Sequence, residues 1–139
     1  MTLQDKYQRQ AAVGEVVFRE GDEGAEMYVI QAGAVRITRV IRGEEQLLAE
    51  LGAGEFFGEM SILNDKPRSA TATVSQEATL LVLGPKTFEA MIRGNTEIAV
   101  RMIRKLAGRL DEANDRIDNL LLQAVNSRKQ ERLAAIDAI

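Results

Sequence analysis

Between Gly54 and Ala72 the chain reads GEFFGEMSILNDKPRSATA, and within it the types and spacing of six residues suit a ligand that carries both a phosphate and a sugar. Arg68 offers a planar fork of donors that matches phosphate oxygens. Glu59, nine positions earlier, offers a charged acceptor for sugar hydroxyls. Gly58 allows a ligand close to the backbone, and Pro67 stiffens the entry to Arg68. Ser69 adds a hydroxyl, and the amides of Ser69 and Ala70 extend the donors into an anion-binding nest. The competing reading is that Glu59 and Arg68 form an ordinary ion pair with each other or with nearby charges. An Arg directly after Pro, following an FGE turn among glycine-punctuated runs, favours the phosphate role.

Such a clamp needs a rigid support, and the surrounding pattern predicts one built from strands. From residue 11 to about 83, short apolar-alternating runs are separated by glycine turns: VVF (16–18), MYVI (27–30), AVRITRVI (34–41), QLLAEL (46–51), TATV (71–74) and TLLVL (79–83). This pattern predicts an antiparallel, jelly-roll-like β-roll. In AVRITRVI, Val35, Ile37 and Ile41 are expected inward while Arg36, Thr38 and Arg39 are more polar, with Arg42-Gly43-Glu44 as a hairpin tip. The glycines at 21, 24, 52 and 54 read as loop punctuation. Residues 58–64, GEMSILN, predict a short helix whose first amides face the ligand; a second reading has Met60, Ile62 and Leu63 plug the roll.

Two helices follow. Pro85 starts one that Gly94-Asn95 ends. Thr96-Glu97 opens a longer one, expected to run to about Ala124. Along it Ile103, Leu106, Leu110, Ala113, Ile117, Leu120 and Ala124 recur at alternating spacings of three and four, a heptad seam. Packing on the chain's own roll is one way to cover that stripe. The roll is small for so long a helix, so a parallel homodimer through residues 103–124 is the favoured expectation. The expected organisation is a roll over 1–95, a dimerisation helix over 96–125 and a hinge or tail over 126–139, which departs from the heptad and leaves Ile136 and Ile139 uncovered.

Composition narrows the chemistry. A chain of 139 residues, 45% hydrophobic, fits one domain with a modest core and an appendage. A net charge of −3 argues against a polyelectrolyte binder of nucleic acid or of an anionic membrane. No apolar run approaches the roughly 20 residues of a membrane span, and MTLQDKYQRQ lacks a signal-peptide core, so a cytoplasmic location without membrane contact is expected. With neither Cys nor His, disulfides, thiolate zinc sites and cysteine-held iron–sulfur clusters drop out, and no metal is expected. Nucleophilic or metal-assisted hydrolysis would have only carboxylates and lysines to work with, so the chain is not expected to be an enzyme.

The ordered set of segments resembles the cyclic-nucleotide-binding domain of the cAMP receptor protein and fumarate-nitrate regulator superfamily. The resemblance runs from Gly14-Glu15-Val16-Val17-Phe18-Arg19-Glu20-Gly21, through Tyr28-Val29-Ile30-Gln31-Ala32-Gly33-Ala34-Val35 and the FGE…PRSA cassette, into the long helix. It implies that Glu59 accepts the ribose 2′-hydroxyl, that Arg68 pairs with the cyclic phosphate, and that Ser69 and Ala70 stand beside it; Gly58 and Met60 belong to the same cassette. Arg109 aligns with a helix arginine that approaches Glu59 in relatives, the competing reading being a solvated charge. Gly108 and Ala113 thin the seam where relatives bring the helix against the bound base. Ala113 and Asn114 fall where a hydroxyl pair reaches adenine across the dimer; alanine cannot make that bond, although Asn114 carries both donor and acceptor.

The expectation is therefore a cyclic-nucleotide sensor domain of transcription-regulator type, with cAMP ahead of cGMP as its ligand. Its oxygen-sensing iron–sulfur branch is excluded by the missing cysteines, and an axial-histidine haem branch has no histidine to use. The alternative is a constitutive dimerisation module whose pocket is vestigial or takes another ligand such as cyclic di-GMP. Residues 125–139 resemble the hinge leading to a DNA-binding domain, and no helix-turn-helix is present, so direct nucleic-acid binding by this sequence is not expected.

Overall fold

The computed structural model describes residues 7–137, and these divide into two compact units, the first ending at Ala90 and the second beginning at Met91. The first unit is an antiparallel β-roll. Its strands are β1 (Gln8–Ala11), β2 (Val16–Phe18), β3 (Met27–Ile41), β4 (Glu44–Leu51) and β5 (Phe56–Phe57), followed by the short helix α1 (Glu59–Leu63) and by β6 (Thr71–Leu83). Strand β6 is the spine. It pairs with β1 and β2 along one edge and with β3 along the other, while β3 also carries β4 and β5.

Two long strands replace four expected short ones. MYVI and AVRITRVI are one strand, β3, which stays paired with β6 from Met27↔Leu83 to Thr38↔Thr71 across register shifts between Ile30 and Val35. TATV and TLLVL are likewise joined in β6. The polar or glycine-bearing joins, Gln31-Ala32-Gly33 and Ser75-Gln76-Glu77, look like loops in sequence. The ladder on the neighbouring strand carries them through because its hydrogen bonds satisfy the backbone whatever the side chains. Strands β1 and β5 were not anticipated: QRQA is polar, and FF is too short to show a period.

The core lies between the inward faces of these strands. Met27, Ile30, Val35, Val74, Leu80 and Leu83 are its largest fully buried side chains. In β6 the alternation Ala72, Val74, then Ala78, Leu80 points one face inward, as a period of two requires. The expected alternation in β3 fails after Ile37. Pairing with β6 ends at Thr38↔Thr71, so Thr38 is still buried between two strands, whereas Ile41, beyond it and paired with β4 alone, is 48% exposed, against the expectation that it points inward. Arg42 and Gly43 both take positive φ (54° and 80°) between the paired Ile41 and Glu44, the requirement of a tight two-residue hairpin turn.

Helix α2 (Pro85–Gly94) leads from the end of the roll across the unit boundary, with the expected proline start and glycine end. Helix α3 (Thr96–Asp137) makes up most of the second unit. Asn95 caps it, its side-chain Oδ1 accepting from the amides of Glu97 (3.1 Å) and Ile98 (3.4 Å). The helix does not stop near Ala124. It continues unbroken to Asp137, 42 residues and about 63 Å at ~1.5 Å per residue. The local propensities of NSRKQERLAAID explain this, since Arg, Lys, Gln, Glu, Leu and Ala are all good helix formers. Ile136 is exposed, and Ile139 lies outside the described residues.

Candidate functional site

Arg68 is 5% exposed although its neighbours Pro67 and Ser69 lie at the surface. Its backbone is fixed on both sides by the turn that follows β2: the Gly21 amide donates to the Arg68 carbonyl (2.8 Å), and the Arg68 amide donates to the Asp22 carbonyl (2.9 Å). That turn is itself braced. The Asp22 carboxylate accepts from the Arg19 amide at 2.9 Å, and Glu20 donates its amide to the Thr71 hydroxyl at 2.9 Å. The arginine therefore leaves the backbone at a defined place, an arrangement that a loop between Asn64 and Ala70 could not secure alone.

The guanidinium is held as firmly. Nη1 donates to the Gly58 carbonyl at 3.0 Å, and Cζ stands 4.2 Å from the centroid of the Phe18 ring. Phe18 belongs to an aromatic cluster with Tyr28 and Phe57, whose rings stack at 5.1 Å. A π face under a cation adds attraction where water is scarce. Nε is buried with no hydrogen-bond partner. An unpaired donor on a buried cation is costly and marks a place where an anionic acceptor would be welcome.

Gly58 has φ +82°, and a Cβ there would stand 3.0 Å from both Arg68 Nη1 and the Glu26 carbonyl. Both its conformation and its surroundings demand glycine. It is the residue before α1, and Glu59, the first residue of that helix, is 6% exposed. The cassette thus buries both a carboxylate and an arginine. The plug reading of α1 is overturned: Met60 and Leu63 are 45% and 49% exposed, and the residues this helix buries are Glu59 and Ser61. Five residues allow little more than one turn, so which side chains face inward is set by the Gly58 turn and not by amphipathic period.

Within the first unit Gly58 and Arg68 thus meet, with Glu59 and Ala70 buried next to them in the chain and Ser69 exposed. Arg109, Ala113 and Asn114 lie on α3 in the second unit, Arg109 half-buried and the other two exposed. Sequence reasoning missed two residues of the arginine's surroundings. In sequence Phe18 reads only as part of a strand and Gly24 only as punctuation, yet Phe18 lies under the guanidinium and a Cβ on Gly24 would lie 2.7 Å from Arg68 Nη2 and 2.8 Å from Nε. The glycine-rich turn after an apolar strand was the available signal, but nothing local says that it meets a residue more than forty positions away.

The segment that holds these residues, 8–95, matches the family model of the cyclic nucleotide-binding domain, and the chain belongs to that family. Bacterial regulators are among its relatives. It is 38% identical over 116 residues to the cyclic AMP receptor protein of Thermus thermophilus, covering 83% of this chain and 54% of that one. It is 33% identical over 121 residues to the CRP-like cAMP-activated global transcriptional regulator of Mycobacterium tuberculosis, covering 86% and 54%. Among solved structures, the catabolite activator protein of Thermus thermophilus superposes with a TM-score of 0.76 at 38% identity, over 85% of this chain and 57% of that one. The fold is that of these regulators: mostly antiparallel β-structure with short helices and a long C-terminal helix. The chain spans about half the length of the curated relatives it matches. No helix among the described residues is long and apolar enough to cross a membrane.

Proposed function

We propose that this chain is the sensor domain of a cytoplasmic regulator, that it binds cAMP in preference to cGMP, and that it acts by binding and not by catalysis. The observation that carries the reading is the buried Arg68 guanidinium, fixed by Gly58 and Phe18 and left with an unpaired Nε. Arg68 would pair with the cyclic phosphate, and the amides and hydroxyl at Ser69 and Ala70 would add donors to the same oxygens. Glu59 would accept the ribose 2′-hydroxyl, with Gly58 and Met60 completing the cassette. Relatives whose names record a cAMP receptor and a cAMP-activated regulator favour adenine.

The helix residues of the reading are Arg109 and Asn114, the latter carrying the donor and acceptor that Ala113 lacks. Ile103, Leu110, Ile117 and Leu120 are 53–64% exposed along that helix. So much apolar surface supports a parallel homodimer through residues 103–124, with residues 126–139 leading to an output domain. The ligand would work by population shift: it favours whichever arrangement of the dimer it binds better, by no more than its differential affinity for the two.

Calorimetric titration with cAMP, cGMP and cyclic di-GMP tests the reading. Expected is saturable binding of cAMP, weaker binding of cGMP and no heat from cyclic di-GMP. Absence of binding by all three would leave a dimerisation module with a vestigial pocket.

A further inference from the structure

The two glycines that touch Arg68 differ in a way that assigns a role to one of them. At Gly58 the backbone itself forbids a side chain, with φ +82° and the Glu26 carbonyl 3.0 Å from a Cβ. At Gly24 the backbone lies outside the left-handed region, and the three atoms nearest to an added Cβ all belong to the Arg68 guanidinium: Nη2 at 2.7 Å, Nε at 2.8 Å and Cζ at 3.0 Å. Residue 24 is at the surface. The closest obstacles to a side chain there are thus one functional group and not the loop's own backbone.

Resting on the cyclic-nucleotide reading for its effect on affinity, we propose that Gly24 is a positioning residue: its bare Cα leaves the space that the Arg68 guanidinium occupies, and Phe18 sets the plane on which it lies. Residues 18–24 then form a single cradle. Phe18 supplies the π face, Gly21 and Asp22 grip the Arg68 backbone, and Gly24 leaves room for the planar end of the side chain. A guanidinium shifted by even part of an ångström loses alignment with phosphate oxygens, because paired N–H bonds demand both distance and plane. The arginine tip is flexible, so an alanine at 24 would be accommodated by moving it. The fold would survive while the clamp would not.

The experiment compares Gly24→Ala with the native protein in two arms. In the first, cAMP affinity is measured by calorimetry for both, and again for Gly24→Ala and glycine in an Arg68→Ala background. Expected is a loss of at least about tenfold with Arg68 present and less than about twofold without it. No loss with Arg68 present, or an equal loss in both backgrounds, overturns the proposal. In the second arm the Arg68 Nε–H resonance is followed by NMR in the ligand-free protein, where burial of Nε shelters it from exchange. Expected is a clear shift or disappearance in Gly24→Ala with the remaining spectrum preserved; an unmoved resonance overturns the proposal whatever binds. Should Arg68→Ala itself bind cAMP as the native protein does, the nucleotide reading fails while the resonance still decides the role of Gly24. Phe18→Leu, which keeps an apolar side chain under the guanidinium but removes the π face, is expected to shift the same resonance and weaken binding severalfold; an unmoved resonance removes Phe18 from the cradle.

Discussion

Replacing Arg68 with alanine separates a binding residue from a structural one, because the two roles predict opposite balances of stability and affinity. In the ligand-free protein the substitution removes the bond from Nη1 to the Gly58 carbonyl at 3.0 Å and the stacking on Phe18 at 4.2 Å. A hydrogen bond made by a charged group is worth about 1.5–3 kcal/mol and a cation–π contact about 0.5–2. Against these, Arg68→Ala also removes a buried Nε with no partner, whose desolvation costs about 1–3 kcal/mol. The backbone bonds to Gly21 and Asp22 remain. At the middle of these ranges the net loss of stability is about 1.5 kcal/mol and at most about 4, below a typical domain's total of about 5–15. In the complex nothing compensates. At least one charge-assisted bond to phosphate is lost and the phosphate is left unpaired, which at ~1.4 kcal/mol per decade weakens binding by about tenfold or more. Urea denaturation and cAMP calorimetry on the same preparations read the two quantities. A folded Arg68→Ala protein with native affinity would refute the clamp, and a loss of stability above about 4 kcal/mol would recast Arg68 as a structural residue.

Three other outcomes are expected. If Glu59 accepts the ribose 2′-hydroxyl, 2′-deoxy-cAMP should bind markedly worse than cAMP to the native protein, and that difference should shrink in Glu59→Gln; equal discrimination by both proteins would place the contact elsewhere. Leu110 and Ile117 occupy successive a positions and are 62% and 53% exposed, so changing both to Asp should turn a dimer into a folded monomer by light scattering at about tens of micromolar, and a native protein already monomeric there would sink the seam. Tyr28 is held above the ordinary tyrosine range first by burial and then by the Glu26 carboxylate, which accepts its hydroxyl at 3.2 Å. The unfolded chain therefore releases the phenol proton first, and stability should fall as pH rises above about 10; urea titrations across that window should show a shallower fall in Tyr28→Phe, and an identical slope would remove Tyr28 as its source.

Much of this protein is legible one residue at a time. The glycine-punctuated runs announce antiparallel strands, because a period of two records which face meets the core. FGE and PRSA mark the proposed anion clamp, because few side chains suit a phosphate as arginine does. The heptad stripe announces an exposed seam because helical period records a face that wants cover. Tertiary structure decided what local pattern does not encode. The joins at Gln31–Gly33 and Ser75–Glu77 are strand because neighbouring ladders pair their backbones, and Ile41 is exposed although Thr38 is buried because the pairing of β3 with β6 ends at Thr38. Met60 and Leu63 point outward because the Gly58 turn aims a five-residue helix. Above all, Phe18 and Gly24 meet Arg68 only once β2 and β6 are paired and the turn after β2 is bonded to the strand-leading loop. Chemistry at a residue is written in its side chain, whereas the room that side chain occupies belongs to distant segments brought together by the fold.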